Sequence, residues 1–233
     1  MNIRRWIDEV TDLVYPRQCI ICEARLCSQE KHICTACLVK LPYTQYHLSP
    51  SDNDMERLFR GCSPVKGAVA MFSYHRGSRY THILAHLKYY NLPEIGVYLG
   101  KMYASMIASK GFFDDVDMLL PVPLSPQRLK KRGYNQAERI AHGISLHTRI
   151  PVKENILNRQ RDNTSQTRHN RWQRLHNTED LFYCPHPEVL EGKHVLLIDD
   201  VVTTGATLLA CCHALEHIPG LEISILSLGH AKQ

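Results

Sequence analysis

Residues 195–207 read VLLIDDVVTTGAT, and the fold follows from how this run divides. Val195 to Ile198 form a short, wholly apolar segment, the pattern of a buried strand in a parallel sheet. Asp199 and Asp200 stand at its C-terminal end. Open parallel sheets bind their ligands outside that end, where carboxylates suit the vicinal hydroxyls of a sugar. Thr203, Thr204, Gly205, Ala206 and Thr207 then offer backbone N–H groups and three hydroxyls at the start of a helix, where the dipole favours a phosphate. Gly205 lets the backbone close around an anion. A plainer reading takes the acids as solvated and the threonines as helix caps. A nucleotide-hydrolase reading of the apolar run needs a G-x-x-x-x-G-K-[ST] partner. The nearest stretch, Gly96 to Met102, has too few intervening residues and ends in Met, so that reading is rejected.

Outward from this run, residues 119–136 (LLPVPLSPQRLKKRGYNQ) give a second buried strand entering a Pro-rich, turn-forming loop. Arg128, Lys130, Lys131 and Arg132 on that loop are cations beside a strand end, placed to meet a pyrophosphate; the alternative is a solvated basic helix start. Strand signals at 68–74, 117–122, 195–198 and 221–228 alternate with helical periodicity at 79–90, 94–109, 135–148 and 207–218, with a further strand near Val152. This alternation predicts a largely parallel α/β sheet flanked by helices. Residues 38–66 carry Pro, Ser, Asn, Asp and Gly with little periodicity and read as a linker. The expected division is a small N-terminal unit, 1–64, and a main domain, 65–233.

The small unit opens with apolar residues Ile3, Trp6, Ile7, Val10, Leu13 and Val14 at helical spacing, stopped by Pro16. Cys19-x-x-Cys22 and Cys34-x-x-Cys37 follow, supplying the four thiolates of a closed tetrahedral zinc site, which would be structural. Cys27 and His32 lie inside the loop as substitute ligands. The odd total of nine cysteines argues against a secreted disulfide framework. Cys62, Cys184, Cys211 and Cys212 lack ligand spacing, and His213 and His217 fit no ligand motif. A formal charge of +5 falls short of a strongly basic nucleic-acid binder. With neither a signal-type apolar core nor a run of about 18 apolar residues, the expected location is cytoplasmic. Residues 159–177 are too polar for core. There Arg159, Arg161, Arg168, Arg171 and Arg174, with Trp172 among them, suit a single-stranded nucleic acid or a polar hood over the site.

The run 195–207 resembles, nearly residue for residue, the motif with which type I phosphoribosyltransferases bind phosphoribosyl pyrophosphate (PRPP). The resemblance assigns PRPP binding to Asp199, Asp200, Val201, Val202, Thr203, Thr204, Gly205, Ala206 and Thr207, with magnesium accompanying the ligand. Arg128, Lys131 and Arg132 are placed to hold its pyrophosphate. PVPL (121–124), RGYNQ (132–136) and VLLIDDVVTTGAT together resemble the ComF family of phosphoribosyltransferase-like proteins. Lys88 in HLKYY, and Arg159, Arg161, Gln166, Arg174, Asn177 and Phe182, match further family positions; Asn163 and His169 depart from it. The resemblance implies a type I phosphoribosyltransferase fold behind a zinc-binding module. It also implies a role in natural transformation, handling single-stranded DNA together with DNA-uptake proteins. An active transferase, with Asp199, Asp200, Arg132 and Lys88 as its catalytic groups and an unidentified acceptor, is the competing function.

Overall fold

The structure, a computed structural model, describes residues 16–62, 64–160 and 181–232. The expected helix at 3–14 and the polar run 161–180, with Arg161, Gln166, Arg168, Arg171, Trp172, Arg174 and Asn177, lie outside the described residues. The central element is β5, His194–Val202 in the chain-order numbering β1–β6. Its ladder with β6 (Glu222–Ala231) runs past the two acids, pairing Asp199 with Ser227 and Val202 with His230. The strand is therefore longer than its apolar run, because paired backbone continues where the side chains turn polar.

On the far side of β6 lies β1 (Val65–Tyr74), and on the far side of β5 lies β2 (Met118–Pro121). The order β1-β6-β5-β2 is parallel throughout, so the crossovers must place helices on the sheet faces. Side chains alternate between two apolar layers. Leu196 and Ile198 join Val69, Met71 and Leu226 on one face, while Val195 and Leu197 join Ala68, Ala70 and Ile225 on the other.

The first face carries α3 (Glu94–Ile107) and α5 (Gln136–Thr148), which cross with their backbones nearly touching. A Cβ on Gly100 would come within 2.3 Å of the Ile140 carbonyl oxygen, and one on Gly143 within 2.3 Å of that of Val97. Two absent side chains set this distance. The second face carries α6 (Ala206–His213), which stops five residues short of the expected end and continues as turns to Ile218. The remaining helices are α1 (Thr35–Val39), α2 (Thr81–Tyr89) and α4 (Pro126–Arg132). The expected strand near Val152 is a single parallel bridge to Leu119.

Residues 42–62, read as part of a linker, instead seal the outer edge of β1. Thr44 N–H donates to Met71 O at 3.0 Å, Ser73 N–H to Pro42 O at 2.9 Å, and Ala68 N–H to Pro50 O at 2.9 Å. Asn53 donates to both Ser49 O and Ala68 O, and Met55 and Phe59 are fully buried beneath. The backbone is irregular, as the composition indicates. It is packed because a sheet edge left bare would strand its donors and acceptors. No helix among the described residues is long and apolar enough to cross a membrane.

Candidate functional site

β5 delivers Asp199 and Asp200 to the carboxyl end of the sheet. Asp200 N–H donates to Asp199 Oδ1 at 2.8 Å, which turns the two side chains in different directions. The Asp200 carboxylate is buried and meets Lys88 Nζ, from α2, at 3.1 Å. Burial, followed by the Asp200 charge, pushes the Asp199 carboxyl well above its ordinary range; the Asp200 N–H, Lys88 and Arg128 pull the other way. Beyond the acids Gly205 takes φ +77° and N-caps α6, and Thr204 Oγ1 accepts from Ala206 N–H at 3.5 Å. Val202, Thr204, Gly205 and Ala206 line a small hollow of about 40 Å³ on the loop itself.

Opposite the acids, the PVPL loop and α4 close a cleft of about 210 Å³. Lys88, Arg128, Arg132 and Arg159 face Asp199, Asp200, Thr203 and Thr207 across it, with Val201 on its wall. Eight polar groups nominated from four separate stretches of sequence thus meet in one place. Arg159, at the base of a two-residue ladder between β3 (Asn158–Arg159) and β4 (Phe182–Tyr183), sits 5.4 Å above the Phe182 ring. Lys131 does not reach this cleft. It lines a neighbouring one of about 350 Å³ with Lys130, Tyr89 and Asn91, which shares Lys88 and Arg132 with the first.

The turn Arg132–Gln136 joins these parts. Ser125 caps α4 by accepting from Arg128 N–H, Pro126 opens that helix, and Gly133 ends it at φ +78°. Tyr134 Oη donates to Leu87 O at 2.7 Å, fixing the helix residue just before Lys88. Buried Asn135 caps α5 by accepting from Ala137 N–H and donates to Val122 O at 3.0 Å, holding the end of β2 against the helix start. Arg132 Nη1 donates to Gln136 Oε1 at 2.7 Å, which aims the guanidinium along the cleft. Asn135 and Gln136 were missed as site residues. The signal was an Asn directly ahead of helical periodicity, a cap position whose second hydrogen bond sequence does not reveal.

In the N-terminal unit the Sγ atoms of Cys19, Cys22, Cys34 and Cys37 lie within 4.8 Å of one another, and Cys34 N–H points at Cys19 Sγ at 3.4 Å. None of them forms a disulfide. Cys27 and His32 stay outside this group: Cys27 N–H is held by Glu30, and the His32 ring packs edge-on to Tyr98. Glu30 also accepts from Thr35 N–H and Oγ1, fixing the start of α1 and with it Cys37. The donor set fits zinc.

The description "Phosphoribosyl transferase domain" matches residues 129–228. Competence protein ComFC of Bacillus subtilis is 26% identical over 212 residues, covering 82% of this chain and 85% of that protein. Competence protein F of Haemophilus influenzae is 31% identical over 116 residues, 49% of this chain and 51% of that one. The chain is similar to the ComF competence proteins and carries their phosphoribosyltransferase-type domain. DNA utilization protein YhgH of Escherichia coli O157:H7 is 24% identical over 192 residues, 81% of this chain and 79% of that one. The domain match takes in the Arg132–Gln136 turn, the two acids and the Thr203–Thr207 loop. The fold is of the type I phosphoribosyltransferase kind, with the four-cysteine unit ahead of it.

Proposed function

We propose that the cleft binds PRPP or another phosphoribose. The reading rests on one observation: two carboxylates at a strand end face three cations, Lys88, Arg128 and Arg132, across a cleft that ends in a helix-start loop of hydroxyls. Thr203 to Thr207 hold the 5-phosphate with backbone N–H groups and the helix dipole. Asp199 and Asp200 accept from the ribose hydroxyls, and Arg128 and Arg132 neutralise the pyrophosphate. Asp199 and Asp200 would hold a magnesium ion accompanying the ligand, whose charge would help to neutralise the pyrophosphate. Calorimetry with magnesium and PRPP tests the assignment: Asp199→Asn/Asp200→Asn should weaken binding at least tenfold, and binding equal to wild type means the site lies elsewhere. Exchange of labelled pyrophosphate into PRPP, repeated over a panel of bases, separates a transferase from a binder.

The Cys19, Cys22, Cys34 and Cys37 thiolates hold zinc in a closed, structural site. A role in handling single-stranded DNA is the second reading. It is supported by relatives named for competence and DNA utilization, and by the cleft beside the first. Tyr89 is 68% exposed there, next to Lys130, Lys131 and Arg132, whose guanidinium lies 5.7 Å from the Tyr89 ring centre. Exposed rings beside cations combine base stacking with backbone neutralisation. Fluorescence anisotropy with an oligothymidylate checks it: Tyr89→Ala should weaken binding, and Lys130→Ala/Lys131→Ala should also flatten its salt dependence. Unchanged binding in both variants removes this surface from the reading.

A further inference from the structure

Away from both clefts, three side chains that no motif groups together converge at the far end of α6. The thiol of Cys62, the imidazole of His213 and the carboxylate of Glu216 place one ligand atom each within 4.8 Å of the other two. His213 Nδ1 and Glu216 Oε2 are 3.1 Å apart. A tetrahedral zinc bound to S, N and O at about 2.0–2.3 Å needs ligand separations of roughly 3.5 Å, within reach of small side-chain rotations. The supporting backbone is fixed. Cys62 N–H donates to Phe59 O and Val65 N–H to Cys62 O, while Ala214 N–H and Leu215 N–H close the turn after α6.

A His–Glu pair on a helix end is ordinary by itself; the thiol is what changes its chemistry. Cys62 is nearly buried, and the fully buried Cys212 thiol lies beside it. Outer partners of this kind orient a metal ligand and stabilise its thiolate. Thiolate with imidazole selects a borderline-soft ion such as zinc over magnesium. The His213 and Glu216 side chains are about half exposed, which leaves the fourth position to water.

We propose that Cys62, His213 and Glu216 form a second zinc site, distinct from the four-cysteine cluster, that clamps the turn before β1 to the end of α6. The clamp bears on the ligand cleft through geometry already described. The same 42–62 segment lies against the other end of the helix, where a Cβ on Gly205 would meet the Leu58 and Phe59 side chains at 3.4 Å. A metal at one end of α6 braces the helix that presents the loop at the other, about 12 Å away for eight residues at 1.5 Å each.

The test uses the full chain and compares wild type with His213→Ala/Glu216→Ala, whose exposed positions leave folding intact. Zinc competition against a chromophoric chelator should show one equivalent fewer in the double variant. Zinc added at micromolar free concentration should raise the melting temperature of wild type alone. With cobalt as the probe, Cys62→Ser should lower the thiolate-to-metal absorption, while Cys34→Ser/Cys37→Ser lowers a separate, larger share. Equal zinc stoichiometry in wild type and the His213→Ala/Glu216→Ala variant, or uptake only at millimolar zinc, overturns the proposal. Neither result depends on PRPP or on the four-cysteine cluster.

Discussion

Lys88 Nζ and Asp200 Oδ2 are 3.1 Å apart, and this pair spans the cleft from α2 to the end of β5. Both ends are largely covered, the side chains being 20% and 9% exposed. Each charge therefore depends on the other more than a surface pair would.

Replacing Lys88 by Ala leaves a buried carboxylate beside a second one. The expected result is a loss of about 2 kcal/mol in stability from the uncompensated charge, together with at least tenfold weaker PRPP binding. Chemical denaturation and calorimetry on the same preparation give both numbers. Unchanged values for both would mean that the pair is incidental.

The raised Asp199 carboxyl makes the site pH-dependent. Burial and Asp200 lift it to about 7, so near neutrality much of the empty protein carries a proton that a magnesium–phosphoribose ligand must displace. Affinity should rise with pH through that window and level off above it, and Asp199→Asn should abolish the trend. The empty protein shows the opposite sign. A folded-state pKa above the ordinary value means that the native state binds the extra proton, so this group's contribution to stability falls as pH rises from about 4 towards 7. Thermal melts across that range, for wild type and Asp199→Asn, separate its contribution from the rest.

Asn135 holds three groups at once: Ala137 N–H, Val122 O and Glu138 Oε1. Asn135→Ala removes the α5 cap and leaves a buried carbonyl without its donor, which should cost about 2–3 kcal/mol. Asn135→Asp keeps the cap and loses only the donors, so it should fall between. A denaturation midpoint equal to wild type in the Ala variant contradicts this account of the turn.

Gly100→Ala drives a methyl group into the Ile140 carbonyl, a backbone atom that moves only if α5 moves with it. The expected cost is about 2–3 kcal/mol, read as a lowered melting temperature. Gly133→Ala is the control. A Cβ there meets nothing within 4 Å, so its smaller cost of about 1–2 kcal/mol reflects only the positive φ.

The parallel core was legible because it is built from apolar runs of the right length. Val195 to Ile198 and Leu119 to Val122 announce buried strands, and the acids follow directly at a strand end. The four cysteines were legible from spacing alone. What escaped had its cause in long-range contact. Met55 and Phe59 look like strays in a polar stretch until β1 supplies an edge for that stretch to cover. The helix α4 was read as loop although Ser125, Pro126 and Gly133 carried both its end signals, because seven residues offer no apolar periodicity. Cys62 and His213 are far apart in sequence, so no spacing rule brings them together.

The strand order has a consequence for how the chain comes into being. β6 lies between β1 and β5, so the first strand of the sheet has no strand neighbour until the last one has been synthesised. Roughly 150 residues separate them, which at 5–20 residues per second is on the order of ten seconds of translation. Through that interval one backbone edge of β1 is paired with the 42–62 segment and the other lacks its strand partner. A strand edge left open for that time is exposed to pairing with other chains, so lesions in β6 should appear first as insoluble product.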